Sequence, residues 1–152
     1  MIALDEIDRR LLRALVQDAT QSAGALGRRF GLSQSAIWRR IRRLTEAGVL
    51  TGRRMVVNVE ALGFGVTVFL EVKLGTKGHI SLEDFERAVV AIPEVQTVEH
   101  VLGLYDYRLR VVARDLSDFE RVLRRRIMTL PGVGQVEANV LLSEERRPGP
   151  LG

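Results

Sequence analysis

Eight residues in the second half of the chain are echoed 38 positions later. Ile92-Pro93-Glu94-Val95-Gln96-Thr97-Val98-Glu99 returns as Leu130-Pro131-Gly132-Val133-Gly134-Gln135-Val136-Glu137. In each copy a helical pattern stops, a proline follows and an alternating apolar pattern begins. A chain that repeats one helix-to-strand joint is suited to a pseudo-symmetric α/β sandwich. The flanking patterns agree. Val66, Val68, Leu70, Val72 and Leu74 alternate with Thr67, Phe69, Glu71 and Lys73, as in a half-buried strand. A loop at 75–78 leads to a helix over 81–92, with Ser81 and Asp84 at capping-box spacing and Leu82, Phe85, Val89 and Ile92 inward. Strands are expected over 95–102 and 107–113, joined by a tight turn at 103–106. A second helix spans 116–130, with Ser117 and Glu120 as its capping box and Phe119, Leu123, Ile127 and Leu130 inward. The last strand covers 133–142. The order β-α-β-β-α-β is the ferredoxin-like arrangement. Its helix-free face is expected to carry Phe69, Val101 and Tyr107, an apolar patch that a second copy of the chain would cover.

The first third is different. Residues 1–58 hold 11 Arg and no Lys against 5 Asp and Glu, a net +6, whereas residues 59–152 are net −2. A basic module joined to a weakly acidic one points to a polyanion partner for the first. Three helices are legible in it. Asp5 caps the first, whose inward stripe is Ile7, Leu11, Leu12 and Leu15, with Asp8, Arg9, Arg10 and Arg13 facing away. The second runs from Ser22 to Phe30 and closes on Gly31, a left-handed C′ glycine. Ser33 caps the third, which reaches Ala47 and Gly48 with Ile37, Ile41 and Leu44 buried. This is helix-turn-helix spacing, and Gly27 is a small residue where the two helices approach.

The third helix then presents Ser33, Gln34, Ser35, Trp38, Arg39, Arg42 and Arg43. Its N-terminal part is the portion that reaches base edges in the major groove of duplex DNA. Arg reads guanine and Gln reads adenine in bidentate fashion, and Ser bonds to either. Arg42, Arg43, Arg53 and Arg54 suit phosphates, which set affinity rather than sequence. Trp38 lies beside the apolar stripe, where it can close the core or meet DNA. Arg40 lies nearer the buried side, where an ion pair and a phosphate contact are equally open. Val49-Leu50 and residues 53–59 read as short strands around Thr51-Gly52, either of a small wing or of the start of a linker.

The fold class is therefore α+β: an N-terminal helix-turn-helix, winged-helix-like domain and a C-terminal ferredoxin-like βαββαβ sandwich. The expected organisation is residues 1–50 for DNA binding, 51–65 as a short strand and linker, 66–143 as the oligomerising βαββαβ domain, to which the family resemblance given below adds effector binding, and 144–152 as a flexible tail. No cysteine is present, which excludes disulfides, thiolate catalysis and zinc fingers. Two histidines, His79 and His100, argue against a metal site, and no cofactor is expected. No apolar run approaches the roughly 18–20 residues that cross a bilayer, and the start lacks the pattern of a signal peptide. The expected location is the cytoplasm, with no membrane partner.

In these residues the chain resembles the Lrp/AsnC (feast/famine) family of transcription regulators. Leu4-Asp5-x-x-Asp8-x-x-Leu11-Leu12 is similar to the family's first helix. Leu32-Ser33, Ile37, Arg40, Ile41, Leu44 and Gly48-Val49-Leu50 are similar to its recognition helix and exit. Ala61-Leu62-Gly63, Gly103-x-x-Asp106-Tyr107 and Leu130-Pro131-Gly132-Val133 resemble its linker, effector turn and last-strand entry. The resemblance implies a homodimer, or an octamer of four dimers, that binds DNA and an amino acid or related metabolite near the turn formed by Gly103, Leu104, Tyr105 and Asp106. Gly103 would let a ligand approach backbone. Asp106 would accept an ammonium group or else bond turn amides. Many members carry Thr-x-Thr early in the last strand, where this chain has Val136 and Ala138, so the effector pocket would suit an apolar side chain better or bind no amino acid at all. The family's usual small residue at position 27 is Ala, and Gly there is expected to loosen the second helix.

Two other functions fit the same outline. A sirohaem-decarboxylase-like enzyme would need a basic cavity with histidine, for which only His79 and His100 exist, and no nucleophile–base pair or phosphate loop supports catalysis. An architectural, DNA-compacting protein would bind with steep salt dependence and little sequence preference.

Overall fold

The computed structural model describes residues 2–75 and 82–145. The chain divides into two compact units, the first through Val56 and the second from Val57 to Glu144.

The first unit is a three-helix bundle: α1 Glu6–Gln17, α2 Ala23–Phe30 and α3 Gln34–Glu46. Each start is capped by the side chain that the sequence offers. Asp5 accepts the Asp8 amide, Ser22 the Ala25 amide and Ser33 the Ala36 amide. Gly31 ends α2 at φ 68°, a left-handed conformation in which glycine carries no Cβ penalty. Leu11, Leu12, Leu15, Leu26, Ile37 and Leu44 form the core, with Phe30, Leu32 and Ile41 packed at its edge.

Three expectations fail here. Asp8 does not face away from the core but is fully buried. The wing strands at 49–50 and 53–59 do not form. The Val49 and Leu50 amides instead both donate to the Leu44 carbonyl and finish the C-terminus of α3, and residues 51–58 continue as an exposed segment. Gly27 is not a loosening substitution, because a Cβ there would stand 2.6 Å from the Leu32 carbonyl oxygen.

The second unit opens with a single 3-10 turn, Glu60–Leu62, closed by Gly63. It continues as β1 Val66–Leu74, α4 Leu82–Val89, β2 Val95–His100, β3 Tyr107–Ala113, α5 Leu116–Val122 and β4 Val133–Val140. The strands form one antiparallel sheet in the order β2-β3-β1-β4. Both helices cover one face, where Phe85, Val89, Phe119, Val122 and Ile127 pack on Val68, Leu70, Val72, Leu109 and Val111. After Val122, α5 widens through Leu123–Ile127, where the Met128 amide donates to the Leu123 carbonyl five residues back. The cap of α5 is Asp115, which accepts the Asp118 amide at 2.7 Å, and the Ser117–Glu120 box does not form. The Ser81–Asp84 box involves a residue outside those described, and so do His79 and the tail beyond Glu145. Leu82 is exposed rather than inward.

The helix-free face also differs from expectation. Tyr107 is fully buried on the helix side, with its ring against Phe85 and its hydroxyl donating to Glu86 at 2.7 Å. Phe69 lies on the open face, and the Arg110 guanidinium lies 5.4 Å from its centroid. Toward β4 the face is polar, whereas Val112, opposite Thr67, is a buried apolar residue on it. Glu99, Arg108, Glu71 and Glu137 form one register row across all four strands. Of the residues expected in an apolar patch on that face, Tyr107 thus lies on the opposite one.

Candidate functional site

The first unit presents α3. Ser35, Arg39 and Arg42 stand at i, i+4 and i+7 and share the outer face, with Trp38 beside them. Trp38 is 55% exposed, so it does not close the core. Ser33 and Ser35 bring their hydroxyls within 3.0 Å at the helix start, next to exposed Gln34. Arg42 donates to Glu46 at 2.8 Å across one exposed helical turn. Arg39 has no carboxylate partner among the described residues, and exposed Arg53 and Arg54 follow after the helix exit.

Arg40 and Arg43 turn the other way. Arg40 Nη1 lies 2.7 Å from both Asp5 Oδ2 and Asp8 Oδ1. Arg43 Nη2 donates to Asp8 Oδ2, which also accepts the Asp5 amide at 3.1 Å. The Asp8 carboxyl is thus fully enclosed and saturated with donors. Burial pushes its pKa up, but the bonds from Arg43, Arg40 and the Asp5 amide outweigh it and hold the carboxyl down at about 2. Asp5 and Asp8 raise Arg40 in turn. Arg43, expected on a phosphate, is drawn into this internal pair because Asp8 of α1 is the only buried carboxylate among the described residues of the unit.

In the second unit, the segment after β2 and the open sheet face enclose a cleft of about 370 Å³. Leu102, Gly103, Leu104 and Tyr105 form its rim, and Glu71, Arg108, Glu137 and Asn139 form its floor. Arg108 Nε donates to Glu71 Oε1 at 2.8 Å, and Glu71 holds the guanidinium firmly charged. The Tyr105 hydroxyl donates to Glu137 Oε2 at 2.6 Å, which raises the phenol pKa. The floor can therefore offer both a cation and carboxylate oxygens to one small molecule.

The expected effector residues divide. Gly103, Leu104 and Tyr105 line the cleft. Asp106 does not, and it bonds no turn amide either. Its Oδ2 accepts the Leu74 amide at 2.8 Å, its own amide donates to the Val72 carbonyl, and Lys73 Nζ lies 3.6 Å from Oδ1. Asp106 ties the turn to the end of β1. Val136 and Ala138 also lie away from the cleft, since they pair with Val72 and Leu70 and share the helix-side parity of those residues. Glu137 and Asn139 carry the cleft parity. Alternation from Glu71 through the β1–β4 pairing was the available signal for them.

The chain matches two family models: the AsnC-type helix-turn-helix domain over residues 4–45 and the Lrp/AsnC ligand binding domain over residues 67–151. It is 35% identical over 146 residues to the proline dehydrogenase transcriptional activator of Rhizobium radiobacter, covering 96% of this chain and 94% of that one. It is 32% identical over 148 residues to the leucine-responsive regulatory protein of Escherichia coli K12, covering 97% and 90%. Among solved structures, a transcriptional regulator from Neisseria meningitidis in complex with L-Met superposes with a TM-score of 0.87 at 25% identity, over 97% of this chain and 95% of that chain. A feast or famine regulatory protein from M. tuberculosis, complexed with L-methionine, gives 0.82 at 31% identity over 95% and 96%. No helix among the described residues is long and apolar enough to cross a membrane. On these matches, which span both units in order, the chain belongs to the Lrp/AsnC family of transcription regulators.

Proposed function

We propose that this protein binds specific duplex DNA through α3 and that a small amino acid in the Tyr105–Arg108 cleft modulates that binding. The observation that carries the reading is the outer face of α3, where Ser35, Trp38 and Arg39 stand exposed behind a serine-capped start. Ser33, Gln34, Ser35, Trp38 and Arg39 meet base edges and nearby backbone, and Arg42, Arg53 and Arg54 meet phosphates. The Arg42–Glu46 pair does not oppose this, since exposed i,i+4 pairs contribute only a few tenths of a kcal/mol. The protein acts in the cytoplasm as a homodimer or an octamer of four dimers, without catalytic activity. Residues 1–50 bind DNA, 51–65 link, 66–143 hold effector and partner contacts, and 144–152 form a tail.

In the cleft, Arg108 takes the effector carboxylate, Glu71 and Glu137 take its ammonium, and the side chain lies along Leu102 and Leu104. The L-methionine complexes of the two structural relatives support an amino acid as the class.

The test is a titration against a labelled fragment upstream of the protein's own gene, with excess unrelated DNA, with and without a mixture of amino acids. The expected result is binding that resists the competitor and shifts with the mixture. Binding abolished by unrelated DNA would replace this reading with DNA compaction. No binding at all would overturn it.

A further inference from the structure

We infer that Asp8 is a positioning residue for DNA recognition: from α1 it holds Arg40 and Arg43 of α3 inward, which fixes the rotation of α3 and keeps these two guanidinium groups off the phosphate backbone. The inference rests on the DNA-binding reading above.

The geometry is specific. Asp8 is fully buried, and both of its oxygens are occupied, Oδ1 by Arg40 and Oδ2 by Arg43 and the Asp5 amide. Asp5 braces Arg40 from the same side at 2.7 Å. Arg40 and Arg43 are three residues apart and therefore lie on one flank of α3, a turn from one another. Two fastenings on one flank resist rotation about the helix axis in a way that a single contact would not. The outer face that remains is Ser35, Trp38, Arg39 and Arg42.

The same contacts decide where positive charge is available. An arginine that left Asp8 for a phosphate would take one of two cationic partners from a buried carboxylate, which costs more than leaving an exposed one. Arg42, whose carboxylate partner among the described residues is exposed Glu46, can leave freely. Of the four arginines on α3, Asp8 thus reserves two for the fold and leaves Arg39 and Arg42 to the ligand. Fewer free cations mean weaker sequence-independent binding, and a fixed face means better discrimination between sequences.

A purely structural role for Asp8 would not alter how binding depends on salt, so that dependence is the readout. Each phosphate contact contributes about 0.9 to the slope of log Kobs against log salt. Wild type, Arg43→Gln, Arg43→Lys and Asp8→Asn, all as the full chain, are titrated with a short unrelated duplex and with the upstream fragment. Arg43→Gln is expected to leave the slope on unrelated DNA unchanged while binding to the upstream fragment weakens several-fold, and Arg43→Lys is expected to recover part of that loss. Asp8→Asn is expected to steepen the slope by about 0.9–1.8 as one or two arginines are released. A slope that falls by about 0.9 in Arg43→Gln would place Arg43 on a phosphate and overturn the inference. So would an Asp8→Asn protein that folds and binds both duplexes with the wild-type slope. If Asp8→Asn does not fold, the two Arg43 variants decide alone. A wild type that binds neither duplex at any salt overturns the DNA-binding reading and this inference with it, an outcome distinct from a normal wild type with a shifted Arg43→Gln slope.

Discussion

Gly27 in α2 faces the carbonyl of Leu32 so closely that a Cβ on it would lie 2.6 Å from the oxygen. The contact follows from the turn itself, because the Leu32 amide donates to the Gly27 carbonyl at 2.9 Å and draws the backbone of the turn onto the helix. Ser33, the cap of α3, is the next residue, so the space at Gly27 sets where the third helix begins.

Gly27→Ala is therefore expected to destabilise the first unit despite the better helix propensity of alanine. Propensity favours Ala by about 1 kcal/mol. Forcing a methyl group against backbone costs about 1–3 kcal/mol, and neither α2 nor the turn can yield without moving Ser33. Urea unfolding of the full chain, followed by circular dichroism, should show a lower midpoint for the first unit and weaker DNA binding. A variant as stable as wild type would show that the turn adapts freely.

Asp8 should make the first unit sensitive to acid. Its folded carboxyl sits at about 2, below the ordinary value of 3.8. A lowered folded pKa stabilises the fold above the unfolded pKa, and that stabilisation is lost as pH falls from about 4 toward 2. At 1.36 kcal/mol per unit the contribution is at most about 2 kcal/mol, less where half-exposed Arg43 is screened by water. Because other carboxylates also titrate there, the check is a difference. The stability gap between wild type and Asp8→Asn should shrink between pH 5 and pH 2. A gap constant over that range would mean that Asp8 is not held charged by its arginines.

How much of this was legible beforehand depends on what had to be read. Helix starts were readable because an N-cap is local: Asp5, Ser22 and Ser33 each bond an amide three residues on. The β-α-β-β-α-β order was readable because alternation and the 38-residue echo are properties of the chain alone. Asp8 was misread because an acidic residue in a first helical turn usually faces water, and only the partners brought by α3, 32 and 35 residues away, make its burial tolerable. Tyr107 was placed on the wrong sheet face because a run of three apolar residues, Val111, Val112 and Ala113, all buried, obscures the parity of β3. The cleft floor was missed for a related reason. Glu71, Arg108 and Glu137 come from three strands, and their row exists only once the β3-β1-β4 order is known.

Tyr107 leads to an alkaline counterpart of the Asp8 effect. Burial, followed by the bond to Glu86, pushes its phenol up to about 12 from 10.0. A raised folded pKa stabilises the fold fully below the unfolded value, and the stabilisation is lost as pH climbs from 10 through 12. Tyr107→Phe keeps the ring against Phe85 and beside His100, whose ring centroid lies 4.7 Å away, and removes only the hydroxyl. It should cost about 1 kcal/mol at neutral pH, as expected for one lost hydrogen bond. It should also remove part of the stability loss above pH 10, measured as the urea midpoint of the second unit. Equal alkaline sensitivity in both proteins would assign the loss to other groups.

The effector reading separates two sets of positions on one strand. Glu137 lies on the cleft floor, and Ala138 points to the opposite face of β4. If the cleft seats an amino acid, Arg108→Met removes the cation that meets its carboxylate, and a lost charge-assisted bond of about 1.5–3 kcal/mol weakens binding roughly 10- to 100-fold. Ala138→Thr adds a hydroxyl on the helix side, so the affinity should stay within about two-fold of wild type. Calorimetric titration of both variants with the amino acid that shifts DNA binding tests the pair together. A tenfold gain in Ala138→Thr with no loss in Arg108→Met would move the effector to the far side of β4, and the Tyr105–Glu137 bond would then only brace the rim of the turn.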